Sequence, residues 1–183
     1  ENGSCDDFLS VLSSYQNEDG GFGYNLECNN WNPGSSPYTV CIALDYLDVT
    51  GDCESSMKSR IIEGIVKYLD TGNYFLETGW VRMQGIPGNN DFAHMLWFHL
   101  DPEKAAVADI GVTKRLADFL LKYADADSDI YRKAERLKER YAQCGQVLLQ
   151  GYPDYDPEAL NIQEFDPAAY PVWLPLPVYF IVS

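Results

Sequence analysis

Apolar residues recur at helical spacing along most of the chain. Phe8, Leu9, Val11, Leu12 and Tyr15 fall largely on one face, which predicts a helix over 6–15. The polar, glycine-containing run Gln16-Asn17-Glu18-Asp19-Gly20-Gly21 ends it, with Gln16 expected to tie the loop backbone. Ser36 followed by Pro37 reads as an N-cap and a first helical residue, starting a helix that runs to about Asp48. Met57, Ile61, Ile62, Ile65, Val66 and Leu69 make an amphipathic stripe, predicting a helix over 54–70 that stops at Thr71-Gly72. Residues 92–100 are almost wholly apolar and predict a short helix buried on all sides. Two further helices are expected over 113–123 and 129–143, separated by Asp125-Ala126-Asp127-Ser128, a cluster suited to capping the second.

The same order of parts occurs twice. An outer amphipathic helix leads to a loop with a Gly-aromatic pair (Gly21-Phe22, Gly79-Trp80), then a polar cluster, then an inner apolar helix. The copies are expected over about 5–50 and 54–100, with a looser third hairpin over 105–143. Beyond it the chain changes character: Pro153, Pro157, Pro167, Pro171, Pro175 and Pro177 stand among apolar residues, so 144–183 reads as an irregular Pro-rich segment packed on the core.

Composition narrows the partners. The 183 residues carry 28 acids against 13 bases, a formal charge of -15. Eight of those bases lie between Lys114 and Arg140, and none lies before Lys58 or after Arg140. Such a chain lacks the basic footprint of a nucleic-acid or anionic-membrane binder, and it has no apolar run long enough to span a bilayer. The five cysteines are odd in number and lack C-x-x-C spacing, which points away from a zinc knuckle or redox motif and toward reduced thiols in the cytoplasm. No metal or other cofactor is expected. The Asp125 run fails as a calcium loop, because Ile130 and Arg136 stand where such a loop needs glycine and glutamate.

Tyr15-Gln16-Asn17-Glu18-Asp19-Gly20-Gly21-Phe22-Gly23, followed by Ser35-Ser36-Pro37-Tyr38, resembles the Gln...Gly-Trp type repeat of the terpenoid cyclase and protein prenyltransferase superfamily. Gly79-Trp80 with Asn89-Asn90-Asp91-Phe92-Ala93-His94 is similar but lacks the Gln. The run over 15–134 is similar to bacterial proteins described only as prenyltransferase-like. The resemblance implies an all-α fold of the α/α-toroid type. A ring of six hairpins needs about 300 residues, so this chain is expected to form an incomplete or open ring, or to be a fragment, the missing initial Met hinting at the latter. The family's chemistry transfers less well: the D-x-D-D motif of the cyclases and the D-x-C zinc pair of the prenyltransferases are both missing from this sequence.

If alternate helices line a ring, the inner helices starting at Tyr38 and Phe92 turn their N-termini toward one mouth. That would gather Asp19, Glu27, Trp31, Tyr38, Trp80, Asn89, Asn90, Asp91 and His94. Helix N-termini favour anions, yet Arg82 is the only base in either loop, so a neutral or cationic ligand is expected. Carboxylates beside aromatic rings suit carbohydrate, one acid donating a proton while another activates water. Glu27, between Leu26 and Cys28, could serve as a general acid if buried away from cations. Asp91 and His94 lie three apart and can share a helix face. Glu27, Asp91 and His94 are therefore the candidate catalytic residues, and Trp31, Tyr38, Trp80, Asn89 and Asn90 the candidate ligand contacts. His99 reads instead as a partner for helix C-terminal carbonyls. The expected function is a cavity for a small or oligomeric neutral ligand, with carbohydrate chemistry as its most concrete form. The alternatives are a non-catalytic interaction scaffold and a terpenoid cyclase or prenyl-transfer enzyme; oligomeric state is left open.

Overall fold

The structure is a computed structural model and describes residues 5–23, 26, 30–82, 85–92 and 106–150, the side chains of 143–150 excepted. The Pro-rich segment from 151, Glu27, Cys28, His94, His99 and nearly all of the helix expected over 92–100 lie outside these residues. The chain divides into two compact units, Glu1–Gly145 and Gln146–Ser183, and the first is the one described below.

The described residues are mostly helical: α1 (Cys5–Ser13), α2 (Pro37–Val49), α3 (Ser56–Asp70), α4 (Asn89–Phe92), α5 (Ile110–Tyr123) and α6 (Asp129–Gln150). The only sheet among them is a two-residue antiparallel pair, β1 (Phe75–Leu76) and β2 (Gly79–Trp80), with Phe75 opposite Trp80. Five of the expected helices appear close to their expected bounds. The main shift is at α6, which runs on to Gln150, so the segment expected to be irregular from 144 is helical at its start; α5 also begins early, at Ile110 rather than near Thr113, because the Asp109 side chain accepts from Val112 N at 2.8 Å and caps it. Ser36 caps α2 through a reciprocal box with Thr39, and Ser128 accepts from Tyr131 N at the head of α6.

α1 packs on α3 and α2 packs on α5, while α2 and α3 also touch each other and α3 touches α5. Each helix supplies one apolar stripe to a shared core. Leu9 and Leu12 come from α1, Val40, Leu44 and Leu47 from α2, Ile61, Ile65 and Leu69 from α3, and Leu116 and Leu120 from α5. Arg115 on α5 reaches across the surface to Asp45 at 3.1 Å and to Asp48 on α2.

Two loops stitch this frame together, and they do so alike. In the first, Phe22 is buried, and its carbonyl accepts from Ser36 N at 3.2 Å and from Thr39 Oγ1 at 2.5 Å, both in the first turn of α2. In the second, Trp80 is buried, and its carbonyl accepts from Asp109 N at 2.9 Å and Thr113 Oγ1 at 3.4 Å, both at the head of α5. An aromatic residue is driven into the core while its carbonyl receives the cap and an early threonine of a helix that follows it. The hydrogen bonds thus pair the Gly79-Trp80 loop with α5, with residues 82–108 inserted between them.

The first loop is also tied to α3. Gln16 donates through Nε2 to Gly20 O at 2.9 Å and to Ile61 O at 3.0 Å, as its place before the glycines led us to expect. Gly20 has φ +90°, and a Cβ there would lie 2.0 Å from Gly64 O. No other residue type fits that approach.

A disulfide joins Cys5 to Cys53 across a sequence separation of 48. This corrects the expectation of reduced thiols. The pairing is set by α1 lying against the head of α3, a tertiary contact that cysteine spacing does not encode. Cys41 is free and buried.

Candidate functional site

The segment 30–34 and the turn before α4 meet at the head of α2. Asn30 is buried and donates through Nδ2 to Asn89 Oδ1 at 2.6 Å and to Asn89 O at 3.2 Å. Asn32 donates through Nδ2 to Pro87 O at 2.8 Å. Trp31 N donates to Phe92 O at 3.1 Å. Within the segment, Asn30 Oδ1 accepts from Asn32 N and Asn32 Oδ1 accepts from Gly34 N, so each asparagine folds its own turn while its amide nitrogen crosses to the neighbouring loop. Asn17 anchors the segment from the other side, donating to Pro33 O at 3.0 Å and to Ser35 Oγ at 2.8 Å.

This stitching brings most of the described candidates together. Trp31, Tyr38, Asn89, Asn90 and Asp91 all lie on these loops or on the helix heads they meet. Tyr38 is half-buried beneath the guanidinium of Arg82, which lies 4.3 Å above its ring; a cation on an aromatic face is favourable. Asp91 is exposed in the single turn of α4. Asp19 is engaged in the first loop, accepting from Gly21 N at 2.9 Å and from Ser35 Oγ at 2.8 Å.

Two expectations change. Trp80 does not line a mouth: its exposure is 0%, its ring meets Phe75 edge-on at 4.8 Å, and its N–H is held by Thr113 Oγ1 at 3.0 Å. Its indole Nε1 has no hydrogen-bond partner among the described residues. The Gly-aromatic signal marks a core anchor here, because the preceding Gly79, at φ +137°, brings the backbone against Thr113 and turns the ring inward. Asn89 is also buried, and its side-chain oxygen and carbonyl both accept from Asn30, so it holds the loop junction rather than facing a ligand. Asn30 itself carried no signal that reading along the sequence would single out, since its role rests on a partner 59 positions away.

The space between these groups is small. Asn30, Asn32, Ser36, Tyr38, Ile86 and Asn89 enclose a cavity of about 10 Å³, room for about one water molecule. The junction nevertheless presents a surface. Trp31 is 51% and Phe92 43% exposed, on segments joined by the Trp31–Phe92 backbone bond. Asn32, Asn90 and Asp91 are their neighbours in sequence, the Asn32 amide being engaged by Pro87 O and Gly34 N. Among the described residues, no group of three or more His, Cys, Asp or Glu side chains is placed to hold a metal, and no helix is long and apolar enough to cross a membrane.

No family model, curated protein or solved structure matches the chain.

Proposed function

We propose that this chain is a binding module of the α/α-toroid type, and that the Trp31–Phe92 platform takes a neutral polar ligand, a short oligosaccharide being the class that suits it. The observation that carries this reading is the pair of exposed aromatic residues at a junction fixed by buried asparagine hydrogen bonds. Sugar rings offer C–H faces that stack on aromatic rings, and hydroxyls that pair with amides and carboxylates; the two exposed rings offer the first, and Asn90 and Asp91, next to Phe92 in the chain, bring groups of the second kind. Segments held by hydrogen bonds across the junction lose little freedom on binding. Arg82 is occupied above Tyr38, which disfavours an anionic ligand.

The toroid assignment rests on the resemblance of the two Gly-aromatic loops and on the paired packing of α1 with α3 and α2 with α5. At the head of α2 the volume enclosed by the described residues is about 10 Å³, which suits binding at the surface there better than a terpenoid or prenyl skeleton. Carboxylate catalysis requires Glu27 or His94 beside Asp91, and both lie outside the described residues, so the proposal is one of binding. The Cys5–Cys53 disulfide supports an oxidising compartment in place of the cytoplasm.

Titration of the purified chain with a panel of soluble oligosaccharides, followed by calorimetry and tryptophan fluorescence, tests the reading. One saccharide class should bind saturably, and Trp31→Ala should weaken it by about tenfold or more, the equivalent of 1.4 kcal/mol. Equal binding by the variant, or no binding by any saccharide, would overturn it.

A further inference from the structure

The disulfide fastens the first residue of α1 to the segment before α3. α1 has nine residues, and its buried residues are Leu9 and Leu12. A helix that short does not hold itself in water, so its order comes from docking. Besides that packing, Phe8 meets the Tyr46 ring of α2 at 6.3 Å, and Ser55 Oγ donates to Asp6 Oδ1 at 2.5 Å, an exposed bond of modest worth. The cross-link adds the one covalent tie between α1 and the head of α3. It is also reachable. Both cysteines are partly exposed, and Cys53 lines an open groove of about 560 Å³ with Glu54, Ser55, Lys58, Ser59 and Tyr123. Cys41, by contrast, is buried, and burial above all pushes its thiol up to about 12, so it stays protonated and does not enter exchange.

We propose that Cys5–Cys53 is a redox latch whose opening by a dithiol reductant releases α1 and loosens the loop it feeds, leaving the α3–α5 core folded. A reductant thiolate enters the groove and attacks Cys53 Sγ; the S–S bond breaks, a mixed disulfide forms, and Cys5 leaves as a thiolate that takes up a proton. The second thiol of the reductant then attacks its own sulfur in the mixed disulfide. Cys53 is released as a thiolate and protonated, and the reductant departs as a disulfide, two electrons having passed to the protein. The effect runs along the chain from α1 into 14–23. There Gln16 holds Ile61 O, and Asn17 holds Pro33 O and Ser35 Oγ beside the Trp31 segment.

The test needs no ligand, so its failure is distinct from that of the binding proposal. The chain is equilibrated in graded mixtures of reduced and oxidised dithiothreitol, each cysteine is mapped by alkylation and peptide mass spectrometry, and amide hydrogen exchange is read on the same samples. Cys5 and Cys53 should become alkylated together in one reversible step while Cys41 stays protected. Peptides over 5–23 should exchange about tenfold faster or more, and those over 112–120 should not change. The Cys5→Ser/Cys53→Ser double variant should behave as the reduced chain; if it fails to fold, the reduced wild-type chain carries the test. Loss of protection in 112–120 on reduction, unchanged exchange in 5–23, or a pair that resists reduction until the whole chain unfolds would each overturn the latch.

Discussion

Trp31 and Trp80 both sit on loops that meet the head of a long helix, yet one ring faces out and the other is sealed in the core. What separates them is how their neighbours use hydrogen bonds. Around Trp80 the backbone itself is captured: Thr113 Oγ1 accepts from its N–H, Asp109 N and Thr113 Oγ1 donate to its carbonyl, and Gly79 permits the close approach. Around Trp31 the backbone makes one bond, from its N–H to Phe92 O, and the flanking side chains make the rest. Asn30 and Asn32 cross to Asn89 and Pro87, and the ring between them is left half in solvent. An aromatic residue whose backbone receives the head of a later helix is sealed into the frame, and one set between cross-loop amides keeps half of its surface in solvent.

Substitution to alanine should separate the two most sharply. Trp80→Ala empties a fully buried site and should cost about 3–5 kcal/mol, whereas Trp31→Ala, at an exposed position, should stay within about 0.5 kcal/mol. Urea unfolding of both variants checks this, and comparable losses would erase the distinction. A finer cut comes from the two threonines. Thr113→Val leaves Trp80 N buried without an acceptor and should cost about 1–3 kcal/mol. Thr39→Val should cost less, about 1 kcal/mol, because the Phe22 carbonyl still accepts from Ser36 N. Equal values would mean that the two loops are held differently from the way their hydrogen bonds indicate.

A further contrast concerns pH. Burial raises the Cys41 thiol from 9.0 to about 12, and burial first, then Asp19 and Tyr74, raises the Tyr68 phenol beneath the first loop. The unfolded chain releases these protons at lower pH than the folded one. The contribution of Cys41 is therefore complete below about pH 9 and is lost progressively as pH rises toward about 12, while that of Tyr68 begins to fall only above about pH 10. Denaturation midpoints measured over that range should fall, and Cys41→Ala should flatten the slope. A variant that loses stability with pH as steeply as the parent would remove Cys41 from this role.

Much of the frame was legible because it is local. The stripe Ile61, Ile65, Leu69 names the buried face of α3, Ser36-Pro37 names the start of α2, and Gln16 before paired glycines names a side chain that must hold its own turn. The candidate site was legible only in part. Trp31, Tyr38, Asn90 and Asp91 do gather, but the inward turn of Trp80 depends on Thr113, 33 positions on, and the burial of Asn89 depends on Asn30, 59 positions back. The disulfide was missed for the same reason: the contact of α1 with the head of α3 decides which cysteines meet. Periodicity and capping reveal elements, whereas pairings at long separation are set by how those elements pack.

The central claim, that Trp31 serves the ligand and Trp80 the frame, is tested most directly by the indole N–H resonances in a ¹H–¹⁵N spectrum recorded as an oligosaccharide that binds is added. The Trp31 indole should shift progressively and saturate with binding while the Trp80 indole stays in place. A Trp80 indole that moves while Trp31 remains still would contradict the account.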